Sequence, residues 1–229
     1  MGARLSMRAL FALLSDQVDA GRWWPADTRF EVLVGAILVQ NTTWTSVKRA
    51  LEHLSAASLL TPEAIASAAV DDCAALIRPC GYHHTKATYL KEASTWFQLY
   101  DSDARRSPTS DVRDRLLSVR GIGMETADVL LLYIYDRPIF IYDAYARRLL
   151  KATGFGDHAT YAAAKVAVDP LVHNARFSVD ELGTFHGLIV ESGKMARRLG
   201  GWDACLPLLE SGTLRKQWQD LCSRDEADR

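Results

Sequence analysis

Neither sign of charge dominates this chain: 27 basic residues stand against 28 acidic ones, for a formal net charge of −1. The simplest electrostatic footprint of a nucleic-acid binder, a strongly basic chain, is therefore excluded. A local patch is not excluded, because binding responds to local potential, so a nucleic-acid function has to be argued from motifs. Cysteine is scarce. Cys73, Cys80, Cys205 and Cys222 are scattered, with no C-x-x-C pair, which gives little support to zinc or a disulfide framework. Reduced thiols in a cytoplasmic protein are expected. No stretch approaches the roughly 20 apolar residues of a membrane span. Near the N-terminus Leu10, Leu13 and Leu14 are followed at once by polar residues, so an amphipathic helix is expected there and not a signal peptide. Internal repeats and low-complexity segments are missing. Strand signals nearly are too: only Ile139–Tyr142 looks extended, and it is short, isolated and preceded by Pro138. It is expected to be a connector.

What remains is ordinary globular composition, 48% hydrophobic and 24% charged, with helical periodicity throughout. The 229 residues suffice for one sizeable domain or two small ones sharing a cleft. Phe30, Leu33, Val34, Ile37 and Leu38 make one apolar face. Val47, Ala50, Leu51 and Leu54 make another, and Leu90, Ala93 and Phe97 a third. Ala127, Leu130, Leu131 and Ile134 mark a strongly apolar, central helix. Thr61-Pro62-Glu63 starts a helix with Thr61 as N-cap. Ser107–Ser110 breaks the chain before a helix from Asp111, and Ala152–Gly156 ends one. The fold class is all-α. The polar tail Ser223–Arg229 is expected to fray.

The most informative stretch runs from Leu116 to Ala127. A helix pattern ends near Ser118, a tight Gly121-Ile122-Gly123 turn follows, and an apolar helix starts at about Met124. Glycine at 121 and 123 permits positive φ and close backbone approach. Amides at such a helix start can bind a phosphate without side-chain charge. A glycine-rich loop joining two packed helices is the plainer alternative. Beyond it, Pro138–Tyr142 leads to Asp143 and the helix pattern Tyr145–Leu150. Asp143 is placed as a helix N-cap, where a carboxylate interacts favourably with the helix dipole.

The whole pattern resembles the helix-hairpin-helix motif of the endonuclease III (HhH-GPD) superfamily of DNA glycosylases. The resemblance extends outward from it. Ile37–Thr42 resembles the segment whose glutamine, here Gln40, enters DNA near the lesion. Gly81–Ala87 is similar to the family's G-[LFY]-x-x-x-K-A turn, with Lys86 as its lysine. It covers about residues 22–195. It implies two helical subdomains with an active-site cleft between them. One spans 26–138 and holds the hairpin (about 112–135); the other is built from 1–25 and 139–229. It implies Asp143 as the catalytic carboxylate, and Gln40, Lys86, Gly121, Ile122, Gly123, Met124 and Thr126 as DNA-binding residues. The carbonyls of Leu117, Val119 and Ile122 would hold a monovalent cation, Na+ or K+. Bifunctional members carry a lysine where this chain has Glu125, so a monofunctional enzyme that uses water is expected. Many relatives carry a four-cysteine iron–sulfur cluster; Cys205 and Cys222 alone are too few, and no cluster is expected.

Arg22-Trp23-Trp24-Pro25 and Trp44 are similar to the base pocket of the 3-methyladenine DNA glycosylase III (MagIII) branch, with Trp24, Pro25 and Trp44 the matching positions. Electron-rich aromatic faces suit a cationic alkylated purine. Tryptophans packed in a core are the alternative. Phe185–Lys194 resembles the branch's C-terminal helix, but Leu188 stands where the branch has a modified lysine. Glu125 and Lys194 join the pocket set; Glu125 can equally be a solvated first-turn acid. His186, Glu191 and Lys194 either line the site or are a satisfied helix histidine and solvated charges. The resemblance implies a cytoplasmic, nucleoid-associated monomer of bacterial type, with double-stranded DNA containing a damaged base as partner and no membrane. Two other readings stay open: an endonuclease III-like glycosylase for oxidised pyrimidines, with or without lyase activity, and a non-catalytic helix-hairpin-helix module.

Overall fold

The structure is a computed structural model; it describes residues 5–227, with side chains described up to Cys222. Residues 1–4, at the head of the expected N-terminal helix, lie outside it. So do 228–229 and the side chains of the polar tail from Ser223, whose backbone is helical through Ala227. Among the described residues there is no strand, as the all-α expectation has it, and the stretch around Ile139–Tyr142 is an irregular connector.

The chain divides into two compact units, a middle one of Trp24–Ile139 and a terminal one made of the residues up to Trp23 together with those from Phe140. Helix α1 (Met7–Gln17) belongs to the terminal unit. The middle unit supplies α2 (Arg29–Leu38), α3 (Trp44–Ala56), α4 (Pro62–Ser67) and α5 (Val70–Leu76). A short 3-10 turn at Arg78–Cys80 leads into α6 (His83–Ala104), α7 (Thr109–Leu117) and α8 (Met124–Tyr133). The terminal unit resumes with α9 (Ala144–Ala152), α10 (Tyr161–Ala175), α11 (Val179–Arg198), α12 (Trp202–Glu210) and α13 (Leu214–Ala227). No helix of the described residues is long and apolar enough to cross a membrane.

In the middle unit, threonine hydroxyls set the helix starts. Thr28, Thr43 and Thr61 each accept the amide three residues on, from Glu31, Ser46 and Ala64, and each cap is worth about 1 kcal/mol. Helix α6 is the spine, with α4 and α5 packed along it and α2 across it. A polar knot fixes the far end. Arg29 donates to both carboxylate oxygens of Asp101 at 2.9 and 2.8 Å and to the Ile134 carbonyl at 3.1 Å. The Tyr135 hydroxyl donates to the same carboxylate at 3.2 Å. Burial and that neighbouring carboxylate push the Tyr135 phenol far up, so it acts as a neutral donor. The knot joins the start of α2, the end of α6 and the exit of α8.

The terminal unit is organised on α11. A capping box starts it, with Ser178 accepting the Glu181 amide and Glu181 accepting the Ser178 amide. Phe185 is fully buried and meets Phe11, Phe140 and Phe177 at 5.2, 5.3 and 5.4 Å between centroids. Helix α1 buries Met7, Leu10 and Leu14. Its last residue, Gln17, is a buried clasp: its amide donates to the Leu209 carbonyl at 2.9 Å and its side-chain oxygen accepts the Leu214 amide at 3.0 Å.

Candidate active site

The hairpin is the turn between α7 and α8. The Ile122 amide donates to the Val119 carbonyl at 3.1 Å, and Ile122 itself folds inward, only 4% exposed. Gly121 has φ +90°, and a Cβ there would stand 2.2 Å from the Tyr89 ring. Glycine is demanded twice, by the backbone and by the aromatic pressed on it. Gly123 does not use the freedom that glycine permits: its φ of −89° and ψ of −178° are extended backbone. Apart from its chain neighbours, nothing lies within 4 Å of where its Cβ would be. As N-cap of α8 it brings no side chain to the first amides of that helix. Beneath the turn, the Arg113 guanidinium donates to fully buried Asp128 at 2.7 Å and pins α7 to α8.

Two further segments are tied to this turn. Gln40 donates from its amide nitrogen to the Gly121 carbonyl at 2.9 Å and to the Thr126 hydroxyl at 3.1 Å. Its place is thus the hairpin itself. Lys86 is 3% exposed, and its ammonium donates to the Leu38 and Cys80 carbonyls, each at 2.9 Å. Burial holds its pKa below the usual lysine range. The side chain is thus turned inward, where it fastens the end of α2 to the turn before α6. What that turn presents outward is Tyr82, missed as a candidate in the sequence, 74% exposed and in the left-handed region at φ 47°. Met124 is half-buried, and Glu125 is exposed in the first turn of α8.

Trp24 and Trp44 meet edge to face, 5.3 Å between centroids, and Tyr133 of α8 lies 5.5 Å from Trp24. Both indoles lean on Gly35 of α2, where a Cβ would come within 3.3 Å of each. Pro25, next in the chain, is exposed. Sequence reasoning found the tryptophans but not Gly35 or Tyr133, which periodicity counts simply as helix positions.

In the terminal unit Asp143 is the N-cap of α9. One carboxylate oxygen accepts the Ala146 amide at 2.7 Å; the other lies 3.8 Å from His186 Nε2. The residue is 9% exposed. The connector before it is anchored by Phe140 and Tyr142, 4.8 Å apart, and by the Tyr142 hydroxyl donating to Asp169 at 2.7 Å. The cap thus occupies one oxygen of Asp143 and leaves the other facing His186. Lys194 is exposed; its ammonium lies 2.6 Å from Glu191 and 5.9 Å from the Trp23 ring centroid. Leu188 is buried and apolar, at 3% exposure. Among the described residues no group of three or more His, Cys, Asp or Glu could hold a metal ion. A cation on the Leu117, Val119 and Ile122 carbonyls is compatible with the turn, since Val119 O, engaged by the Ile122 amide, keeps a second lone pair.

Residues 34–169 match the model of the HhH-GPD superfamily of base excision DNA repair proteins. The chain is 36% identical over 203 residues to a protein of Methanocaldococcus jannaschii named as a DNA repair glycosylase, covering 86% of this chain and 91% of that one. It is 29% identical over 167 residues to endonuclease III of Sulfolobus acidocaldarius, 72% of each. Among solved structures, the H. pylori 3-methyladenine DNA glycosylase MagIII, bound to 1,N6-ethenoadenine, is similar with a TM-score of 0.64 and 28% identity. The match spans 81% of this chain and 93% of that one. An endonuclease III–DNA complex shares the fold at a TM-score of 0.64 and 18% identity, over 83% of this chain and 85% of that one. With a hairpin turn, an aspartate capping the following helix and a family match across both, the chain belongs to the HhH-GPD superfamily of base excision DNA repair proteins and is a DNA glycosylase.

Proposed function

We propose that this protein is a monofunctional glycosylase that hydrolyses the N-glycosidic bond of alkylated purines, 3-methyladenine first, in double-stranded DNA. The observation that carries this reading is Asp143, a buried carboxylate fixed by one oxygen at a helix start. Cleavage develops positive charge on the deoxyribose as the bond to the base breaks and its electron pair leaves with the base nitrogen. A fixed negative charge beside C1′ stabilises that state more than the ground state. Water then forms the new bond to C1′, oriented by the same carboxylate, and its proton passes to solvent. A cationic alkylated purine departs neutral and needs no strong general acid.

The base class rests on the Trp24–Trp44 pair and on the similarity of the chain to MagIII. Electron-rich faces attract a cationic base that has been flipped out of the helix. Pro25 and Glu125 are further proposed residues of that pocket, and Lys194 is proposed as a further contact to the base. Glu125 offers no amine for a Schiff base, so the product is an abasic site. Phosphate is held by the turn Gly121–Met124, where the open space at Gly123 admits close approach. Gln40 and Thr126 shape that turn, and exposed Tyr82 offers a face for stacking on a base. Leu117, Val119 and Ile122 would hold a monovalent cation beneath it. No iron–sulfur cluster is proposed, and the protein acts as a monomer in the cytoplasm.

The test is base release from a panel of defined lesions. Asp143→Asn should keep the fold and DNA binding and lose at least about 100-fold in release; near-normal turnover would overturn the assignment. The similarity to endonuclease III favours a second reading, a lyase on oxidised pyrimidines. Borohydride trapping decides it: a covalent protein–DNA adduct would support that reading against this one.

A further inference from the structure

The mechanism leaves one buried histidine unused. His186 of α11 is 6% exposed, and its two ring nitrogens face different partners. The Trp23 indole donates to Nδ1 at 3.4 Å, with the rings edge to face at 81° and 5.7 Å between centroids. Nε2 faces the Asp143 oxygen that does not cap α9, at 3.8 Å. An indole N–H can only donate, so Nδ1 must accept. In the neutral ring the proton then sits on Nε2, toward the carboxylate.

We propose that Trp23 and His186 form a tautomer lock that positions Asp143 by a neutral donor, a role that rests on reading Asp143 as the reacting carboxylate. A neutral N–H orients the carboxylate without cancelling the charge that must face the sugar cation. A lysine or arginine in the same place would cancel it. The seat of the lock is built into α11: a Cβ at Gly187, next to His186, would stand 2.8 Å from Trp23 Cγ and 2.9 Å from the Ala20 Cβ. Lys194, on the same helix, is paired with Glu191 at 2.6 Å and lies 5.9 Å from the Trp23 ring centroid. At 3.8 Å the His186–Asp143 contact is longer than a hydrogen bond; catalytic hydrogen bonds of unliganded sites often tighten only when substrate binds.

Two measurements test the lock. Long-range imidazole nitrogen NMR on the full chain should show His186 with its proton on Nε2, and Trp23→Phe should abolish that preference. A wild-type ring protonated on Nδ1 would overturn the proposal whatever the enzyme's activity. Single-turnover base release should fall about 10- to 100-fold in His186→Ala and in Trp23→Phe, with DNA affinity unchanged. His186→Gln, whose amide N–H replaces that of Nε2, should recover most of the rate. Equal loss in the alanine and glutamine variants, or unchanged rates in all three, would overturn the positioning role. Should His186→Ala fail to fold, Trp23→Phe and His186→Gln still decide it. No base release by the wild type from any lesion would sink the proposed function, while the NMR result would still stand for or against the lock.

Discussion

Gly121 and Gly123 look alike in the sequence and do different things. Gly121 carries a left-handed backbone with Tyr89 pressed on it, and Gly123 carries neither. Gly121→Ala should therefore destabilise the protein by more than about 2 kcal/mol, from backbone strain and overpacking together. Gly123→Ala should change stability by less than about 0.5 kcal/mol and weaken DNA binding. Urea denaturation and a binding titration on both variants check this; a folded, stable Gly121→Ala protein would contradict the assignment. Spacing alone told that a turn was there, but not which glycine faced the chain and which faced outward, because Tyr89 is remote in sequence. Lys86 makes the same point: its motif was legible, its inward direction was not. The cysteines offer a pH test. Burial pushes Cys205 up to about 11 and raises Cys73 and Cys80 above their usual 9.0. The folded protein keeps these protons where the unfolded chain has lost them, so stability should fall as pH rises from about 9 towards 11. Iodoacetamide at pH 8 should alkylate half-buried Cys222 first; equal labelling of Cys205, followed by mass spectrometry, would count against this.

Among elements, the hairpin depends on a charge pair under it. Asp128 is fully buried and Arg113 is its donor. Arg113→Ala should cost about 3 kcal/mol, since it takes the guanidinium from a fully buried carboxylate. Adding Asp128→Leu should recover part of that loss, and a double-mutant cycle by thermal unfolding measures it. Helices with a clean apolar face or a marked start were legible to within a residue or two: α2, α4, α8 and α9 lie where the pattern put them. Others were not, for stated causes. Helix α10 contains Pro170 and α12 contains Pro207, residues that a periodicity argument takes as breaks. Helix α5 has only seven residues and no side-chain cap, too short for a face to declare itself. The exposure of Tyr82 was hidden for a different reason. Nothing in composition says which aromatic stays outside.

At the scale of the whole molecule, near-neutral charge and the proposed phosphate site of backbone amides predict an unusual salt response. Few counterions are released when amides do the binding, so the slope of log Kd against log salt should correspond to only a few phosphates. Titrations at several salt concentrations would show it; a slope near that of a many-contact basic protein would reject amide-led binding. The superfamily was legible because its motif spans both sides of the connector. The lesion was not, because the aromatic pocket shows chemistry and not a name. The Gln17 clasp on Leu209 and Leu214 has a last consequence, for synthesis. The middle unit is complete once the ribosome has passed Ile139, but α1 must wait for partners up to 197 residues further along the chain. Helix α1, made before the other described helices, is thus among the last of them to be seated. Until release it is an amphipathic helix without a home, and it should be the segment that a chaperone holds or a protease finds when translation stalls.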